Sequence, residues 1–353
     1  MKRISAVICE LNPLHDGHRY VFSKAKENSD ILIAVMSGNF VQRGETAVYH
    51  KYKRAEAALS AGADLVLEIP FPFCASSAEF FAAAGVRIAE SIGSNVLYFG
   101  SECGDINALK NAGSVLDSEE YRAAMIVGRS ASLRADLLKK YAPELPGSLL
   151  NSPNDILAAE YCRRAKIETV AIKRISTESA SAIRKRTIGG SDSDMLDPYK
   201  LMELEYIHFR TLRNNKHEYA ECGGGVFERL YNTAFSTTSP GEWFDAVKTK
   251  QYTNSRLRRA ALYALCSVTP EELKREVLYT NVLGANTKGR EYLSAIRKKC
   301  DFCVITNNSE KKNTSADVKN QIELSDHADS IYELIAKEKE AAFFLKQHPV
   351  ITR

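Results

Sequence analysis

The chain has 353 residues and a formal net charge of +4, with 44% hydrophobic and 26% charged residues. These values exclude a disordered or fibrous chain, leave room for two globular domains, and permit nucleic-acid binding without demanding it. No apolar run reaches the roughly 18 residues of a membrane helix, and the first residues lack the apolar core of a signal peptide. Eight cysteines are too few for a disulfide scaffold in a chain this long, so reduced thiols and a cytoplasmic location are expected.

The first element is an apolar run, β-branched at Ile4, Val7 and Ile8, that suits a buried parallel strand. Pro13 lacks the N–H that a central strand needs, so the strand is predicted to end near Asn12. His15-Asp16-Gly17-His18 follows, and the pattern of Tyr20, Val21, Phe22 and Ala25 is helical. Both histidines therefore fall at a strand-to-helix turn, where helix N–H groups favour an anion such as a polyphosphate. The spacing alone also admits two surface residues or two metal ligands. A metal ranks lower, because no partner cluster with metal spacing lies nearby in sequence.

A second buried strand is predicted over residues 31–36, closed by the polar turn Ser37-Gly38-Asn39, and a helix over residues 52–61. A third strand runs to Pro70, a helix rich in small residues spans 75–91, and a fourth strand ends at Gly100. This alternation argues for a parallel sheet with helices on both faces. Ligands bind such sheets beyond the carboxyl ends of the strands, where His15, Ser37, Gly38, Asn39 and Gly100 fall. Helices follow over residues 107–116, 122–141 and 154–166, with Pro153 suited to the first turn of the last. A fifth strand is predicted over 169–175. Beyond it, Ser179, Ser181 and Arg184 at a helix start make a second anion site, or simply a serine cap beside a solvated arginine.

From about residue 195 amphipathic helices are expected without strands, with Gly223-Gly224-Gly225 as a flexible break. Arg256, Arg258 and Arg259 crowd one helix start and would repel unless solvated or paired with anions. Lys288, Arg290, Arg297, Lys298 and Lys299 add positive charge, interleaved with Tyr252, Tyr263, Tyr279 and Tyr292. Such a stretch is either an RNA surface or a tyrosine core under solvated charges. Cys300 and Cys303 form a lone CxxC, weak evidence for zinc or redox chemistry.

His15-Asp16-Gly17-His18 after a strand resembles the HxGH signature of the nucleotidyl transferase superfamily. Longer blocks narrow the resemblance to the bacterial tRNA(Met) cytidine acetate ligase family. The most specific is Ser37-Gly38-Asn39-Phe40-Val41-Gln42-Arg43-Gly44-Glu45. Gly62 to Pro70, Phe99 to Asp105, Ser152 to Leu157, Ser179 to Arg184, Tyr252 to Tyr263 and Val282 to Arg290 continue it in order. The resemblance implies an α/β architecture: a Rossmann-like HxGH nucleotidyl transferase domain with a parallel sheet over residues 1–190, and a mainly helical tRNA-binding domain over 191–353. It implies an ATP-dependent ligase that makes acetyl-adenylate and acetylates the wobble cytidine of elongator tRNA(Met).

By the same resemblance, ATP is held by Val7, Ile8, Cys9, Glu10, Leu11, Asn12, Pro13, Leu14, His15, Asp16, Gly17, His18, Arg19 and Tyr20, and by Gly100, Asn154, Arg174 and Ile175. His15 and His18 would stabilise the α-phosphoryl transition state, with Ser181 and Arg184 on the leaving pyrophosphate. Arg256, Arg258, Arg259, Lys288 and Arg290 would hold tRNA, acetate would be the acyl donor, and Mg2+ would accompany ATP with no visible ligand set. The family typically has tyrosine, phenylalanine and asparagine where this chain has Leu11, Leu14 and Asp16, and Asp16 sets a negative charge beside the expected triphosphate. The rivals are a small-molecule nucleotidyl transferase making an adenylated cofactor, and a non-catalytic RNA-binding protein.

Overall fold

A computed structural model describes the chain apart from residues 1, 128–130, 144, 146, 148, 150–151, 176–177, 188–194, 214–217, 298, 337–341 and 353. Lys298, named above, lies outside the described residues.

Five parallel strands form the centre: β1 (Ile4–Cys9), β2 (Ile31–Ser37), β5 (Leu65–Ile69), β6 (Val96–Ser101) and β7 (Glu168–Lys173). A small antiparallel hairpin, β3 (Phe40–Val41) and β4 (Glu45–Thr46), stands apart. In the sheet the central strands run β5-β2-β1-β6-β7, the doubly wound order, in which the direction of winding reverses between β1 and β6. Every residue of β1, β2 and β5 is buried, as expected of strands covered on both faces. Ile4, Ala6 and Ile8 join one core with α3 (Ala78–Ser91) and α4 (Ile106–Asp117). Val7 and Cys9 join the other, with α1 (Asp16–Glu27) and α2 (Lys51–Ser60). Each fully buried Val, Leu or Ile contributes about 1.5–3 kcal/mol.

Strand β1 stops at Cys9, three residues before the expected end. Leu11 adopts a φ of 50°, which breaks the extended chain before Pro13 is reached, and its side chain is fully buried. The predicted helix over 122–141 is two described helices, Glu119–Val127 and Ala131–Tyr141. Pro153 does open its helix, Pro153–Arg164.

Helices Tyr199–Thr211, Val226–Ser236, Pro240–Val247 and Asn254–Leu265 enclose a core of their own around Phe209, Leu230, Trp243 and Leu257. The Trp243 indole N–H donates to the Leu230 carbonyl at 3.0 Å. The glycine triplet is an ordered turn rather than a loose break: the Gly223 carbonyl accepts from Arg256, and the Gly224 carbonyl from the Tyr252 hydroxyl.

Strands do follow residue 195, against expectation. β8 (Tyr279–Ala285) pairs antiparallel with β5, and β9 (Cys303–Ile305) and β10 (Val350–Ile351) pair with β8. The expected boundary at 190/191 therefore does not bound the sheet. Polar Thr280 and Asn281 obscured β8 in the sequence, and both are spent on Glu68: the Thr280 hydroxyl donates to its carbonyl and Asn281 Nδ2 to its Oε2, each at 2.7 Å. Helix Ala316–Ile335 closes the molecule through buried charges, Lys51 Nζ lying 2.9 Å from Glu68 and 2.6 Å from Asp329.

Candidate active site

His15 is the N-cap of α1 and His18 sits in its first turn. His15 Nδ1 accepts the Gly17 N–H at 3.0 Å, so the neutral ring carries its proton on Nε2 and offers a donor there. The His18 and Arg19 N–H groups both donate to the His15 carbonyl. The anion-binding capacity of this turn thus rests on imidazole N–H and the helix dipole rather than on these amides. The two rings stack with centroids 3.8 Å apart. Burial, then the Arg174 charge, lowers the His15 pKa. Burial, then His15 and Arg174, lowers His18 to about 3. His18 Nδ1 is buried without a hydrogen-bond partner, a state a bound ligand would relieve.

The strand ends around this turn bring most of the expected residues together. After β1, the Asn12 side chain accepts the Val48 N–H at 2.9 Å. Its carbonyl accepts from Arg184 Nη1 at 2.5 Å, while Arg184 Nη2 donates to the Ser181 hydroxyl at 3.1 Å. Helix Ala180–Thr187 is thereby tied to the HxGH loop across 172 positions of sequence. At the end of β6, Glu102 accepts from Asn154 Nδ2, and Arg174 Nε lies 3.9 Å from the same oxygen. Asp155, fully buried, accepts from the Ser101 hydroxyl at 2.6 Å and the Glu102 N–H at 2.8 Å, which fixes that loop. A Cβ on Gly100 would stand 3.5 Å from Arg174 and Val21, so the packing alone does not require glycine there. Ile175 is exposed at the edge beside Arg174.

Within residues 7–20 the structure separates walls from reactive groups. The side chains of Val7, Ile8, Cys9, Leu11 and Pro13 are buried, so they shape the loop and offer a nucleotide only backbone. Leu14 is half-buried against the α1 core. Glu10, His15, His18, exposed Asp16 and Arg19, and half-buried Tyr20 are the residues of this stretch with polar or ionisable side chains open to a ligand. Sequence reasoning gave no role to Glu102, Asp155 or Arg54. Arg54 is fully buried and donates to the carbonyls of Tyr49, Glu10 and Ser37 at 2.9, 2.6 and 3.1 Å, and to that of Gly38. It binds the ends of β1 and β2 together, and its sequence signal was a block of family resemblance, Arg54-Ala55-Glu56, that gave it no role.

The expected RNA-facing cations are placed otherwise. Arg259 is buried and bidentate on Glu221, at 2.9 and 2.8 Å. Arg256 donates to the Gly223 carbonyl at 2.9 Å with its guanidinium 4.7 Å from the Tyr252 ring centroid. Arg258 lies 3.5 Å from Glu45 and over the Phe244 ring. These three tie the helical unit to itself and to the hairpin. Gly44 at the hairpin turn has a φ of +72°, and a Cβ there would stand 2.5 Å from the backbone nitrogen of Arg259. Tyr263 and Tyr279 are fully buried core residues. Lys288 and Arg290 are exposed but follow β8, whose Ala285 pairs with Leu65 at the amino end of β5. They sit at the opposite end of the sheet from the histidines, about 15 Å away along β5 alone. Among the described residues no group of three or more His, Cys, Asp or Glu is placed to hold a metal ion. Cys300 is spent on the Ser91 carbonyl at 2.8 Å. Among the described residues no helix is long and apolar enough to cross a membrane.

A doubly wound sheet with an HxGH turn at its switch point is the arrangement of a HIGH nucleotidyl transferase, and the chain matches that family over residues 1–197 and 191–347. It is 32% identical to the tRNA(Met) cytidine acetate ligase of Caldicellulosiruptor saccharolyticus, covering 99% of this chain and 98% of that protein. It is also 32% identical to the enzyme of that name from Thermoanaerobacter sp., covering 99% of each. The crystal structure of Thermotoga maritima TmcAL bound with alpha-thio ATP superposes with a TM-score of 0.89 at 28% identity, over 99% of each chain. The chain belongs to the tRNA(Met) cytidine acetate ligase family.

Proposed function

We propose that this chain is an ATP-dependent ligase that activates acetate as acetyl-adenylate, releases pyrophosphate, and acetylates N4 of the wobble cytidine of elongator tRNA(Met). The observation that carries the reading is the Arg184 bond to the Asn12 carbonyl. It sets a guanidinium and two imidazoles around one turn at the switch point, a donor set matched to a polyphosphate. Acetate oxygen is a poor leaving group, and adenylation replaces it with AMP. His15 and His18 hold the phosphates, Ser181 and Arg184 the departing pyrophosphate, and Gly100, Asn154, Arg174 and Ile175 the nucleoside. Mg2+ fits as the counter-ion of the nucleotide, held chiefly by its phosphates.

The central sheet carries ATP and the helical unit flanks the tRNA, in the cytoplasm. The weak cytidine amine gains most of its rate from positioning after the base leaves the anticodon stack. Exposed Arg19, Lys173 and Lys185, on the edge that carries the histidines, meet RNA phosphates in place of Arg259, Lys288 and Arg290. The test is incubation with ATP, labelled acetate and tRNA, followed by digestion of the RNA. Labelled N(4)-acetylcytidine supports the reading. AMP joined to a small molecule without RNA labelling would establish a small-molecule nucleotidyl transferase instead.

A further inference from the structure

We propose that Glu10 is the general base that takes the proton from the attacking cytidine amine. This rests on the acetate–ATP–tRNA reading above and adds the group that its second step needs.

Glu10 is the first residue beyond β1, at the switch point. Its backbone and side chain are separately anchored: its carbonyl accepts from Arg54 at 2.6 Å, and its Oε1 accepts the Gln42 N–H of the hairpin at 2.7 Å. Arg54 from α2, Arg43 from the hairpin and Arg184 from helix Ala180–Thr187 act on the carboxylate electrostatically. Cys9, its neighbour at the end of β1, and Tyr161 on helix Pro153–Arg164 also interact with it electrostatically, and burial raises the pKa of both. The carboxylate thus stands between the HxGH turn, the hairpin and the helix whose arginine binds Asn12. A carboxylate is repelled by a triphosphate, so phosphate binding does not account for an acid there, and three arginines offset the repulsion.

Neither imidazole of the turn is placed to act as that base. His15 has its Nδ1 spent on Gly17 and its proton on Nε2, so it donates. His18 is held at about 3, too weak a base at neutral pH. Burial moves Glu10 upward, opposed by Gln42 and the arginines, toward the range where a base works well. The step balances. The cytidine N4 lone pair forms the N–C bond to the acetyl carbonyl carbon. The C–O bond to AMP breaks and AMP leaves with its electrons. The N4 proton passes to the Glu10 carboxylate.

The experiment measures two half-reactions on the full-length protein, acetate-dependent pyrophosphate exchange and single-turnover acetyl transfer to tRNA. Glu10→Gln keeps an acceptor for Gln42, so a merely structural role survives it. Transfer should fall about 10²–10⁴-fold, at least about tenfold further than exchange. The rise of the transfer rate with pH should flatten in Glu10→Gln, and Glu10→Asp should recover part of the transfer. Equal losses in both half-reactions, or unimpaired transfer, would overturn the assignment. A wild type that makes acetyl-adenylate and acetylates tRNA while Glu10→Gln does both equally well sinks Glu10 alone. A wild type without acetate-dependent exchange sinks the proposed function, and Glu10's role with it.

Discussion

The His15–His18 turn and the start of helix Asn254–Leu265 both gather cationic or donor groups at a helix N-terminus, and they use them in opposite ways. At the helix start, Thr253 caps the Arg256 N–H, and all three arginine heads are engaged by Glu221, Glu45, carbonyls or aromatic rings. At the turn, His18 Nδ1 has no partner and His15 keeps an Nε2 donor unspent. Capacity for an anion is decided by what the fold leaves unsatisfied, because a satisfied donor must lose one bond to gain another.

The sharpest way to break this contrast is His18→Ala. Acetate-dependent pyrophosphate exchange should fall at least about a hundredfold, the usual cost of losing one transition-state donor, with little change in melting temperature. Full exchange in that variant would end the assignment of the turn to phosphates.

On the other side, Arg259→Ala strands the Glu221 carboxylate among buried groups. Removing one partner of a buried pair should cost about 3 kcal/mol in denaturant unfolding. Arg259→Ala combined with Glu221→Gln should recover part of that. If instead tRNA affinity drops while stability holds, Arg259 is an RNA ligand and the contrast collapses.

Acid should act on the same turn. His18 has a folded pKa of about 3, below its unfolded value of about 6.5. Between those values the unfolded chain binds a proton that the native chain refuses, so stability is full above about pH 6.5 and falls as pH drops toward 3. The loss should reach about 2 kcal/mol by pH 5, and His18→Asn should flatten that part of the curve. Urea unfolding at a series of pH values reads it directly, and an unchanged slope would mean the imidazole is not buried neutral.

The smallest effect belongs to Asp16, exposed in the first turn of α1. Asp16→Asn removes repulsion of the triphosphate and also a favourable charge at the helix N-terminus. ATP KM should fall about two- to threefold, less so at high salt, while stability drops by about 0.5 kcal/mol. A rise in KM would give Asp16 a direct role in holding the nucleotide.

The sequence by itself determined the five central strands, their helices and the place of the histidines. Those signals are local: fully apolar strand runs, helical periodicity and the Asn12-Pro13 break each depend on neighbours a few residues away. That His15 and His18 follow a strand end and that Arg184 lies in a helix beyond the fifth strand was legible for the same reason. Only the tertiary structure decided that β8 completes the sheet from far along the chain, since Thr280 and Asn281 read as polar until Glu68 is seen accepting from both. It alone decided that Arg54 grips two strand ends, that Lys288 and Arg290 sit at the far end of the sheet, and that Arg259 is spent. Composition counts charges, but whether a charge is free depends on partners 38 residues away in the case of Arg259 and Glu221 and 172 away in that of Arg184 and Asn12. Such pairings are fixed by packing, and no local pattern encodes them.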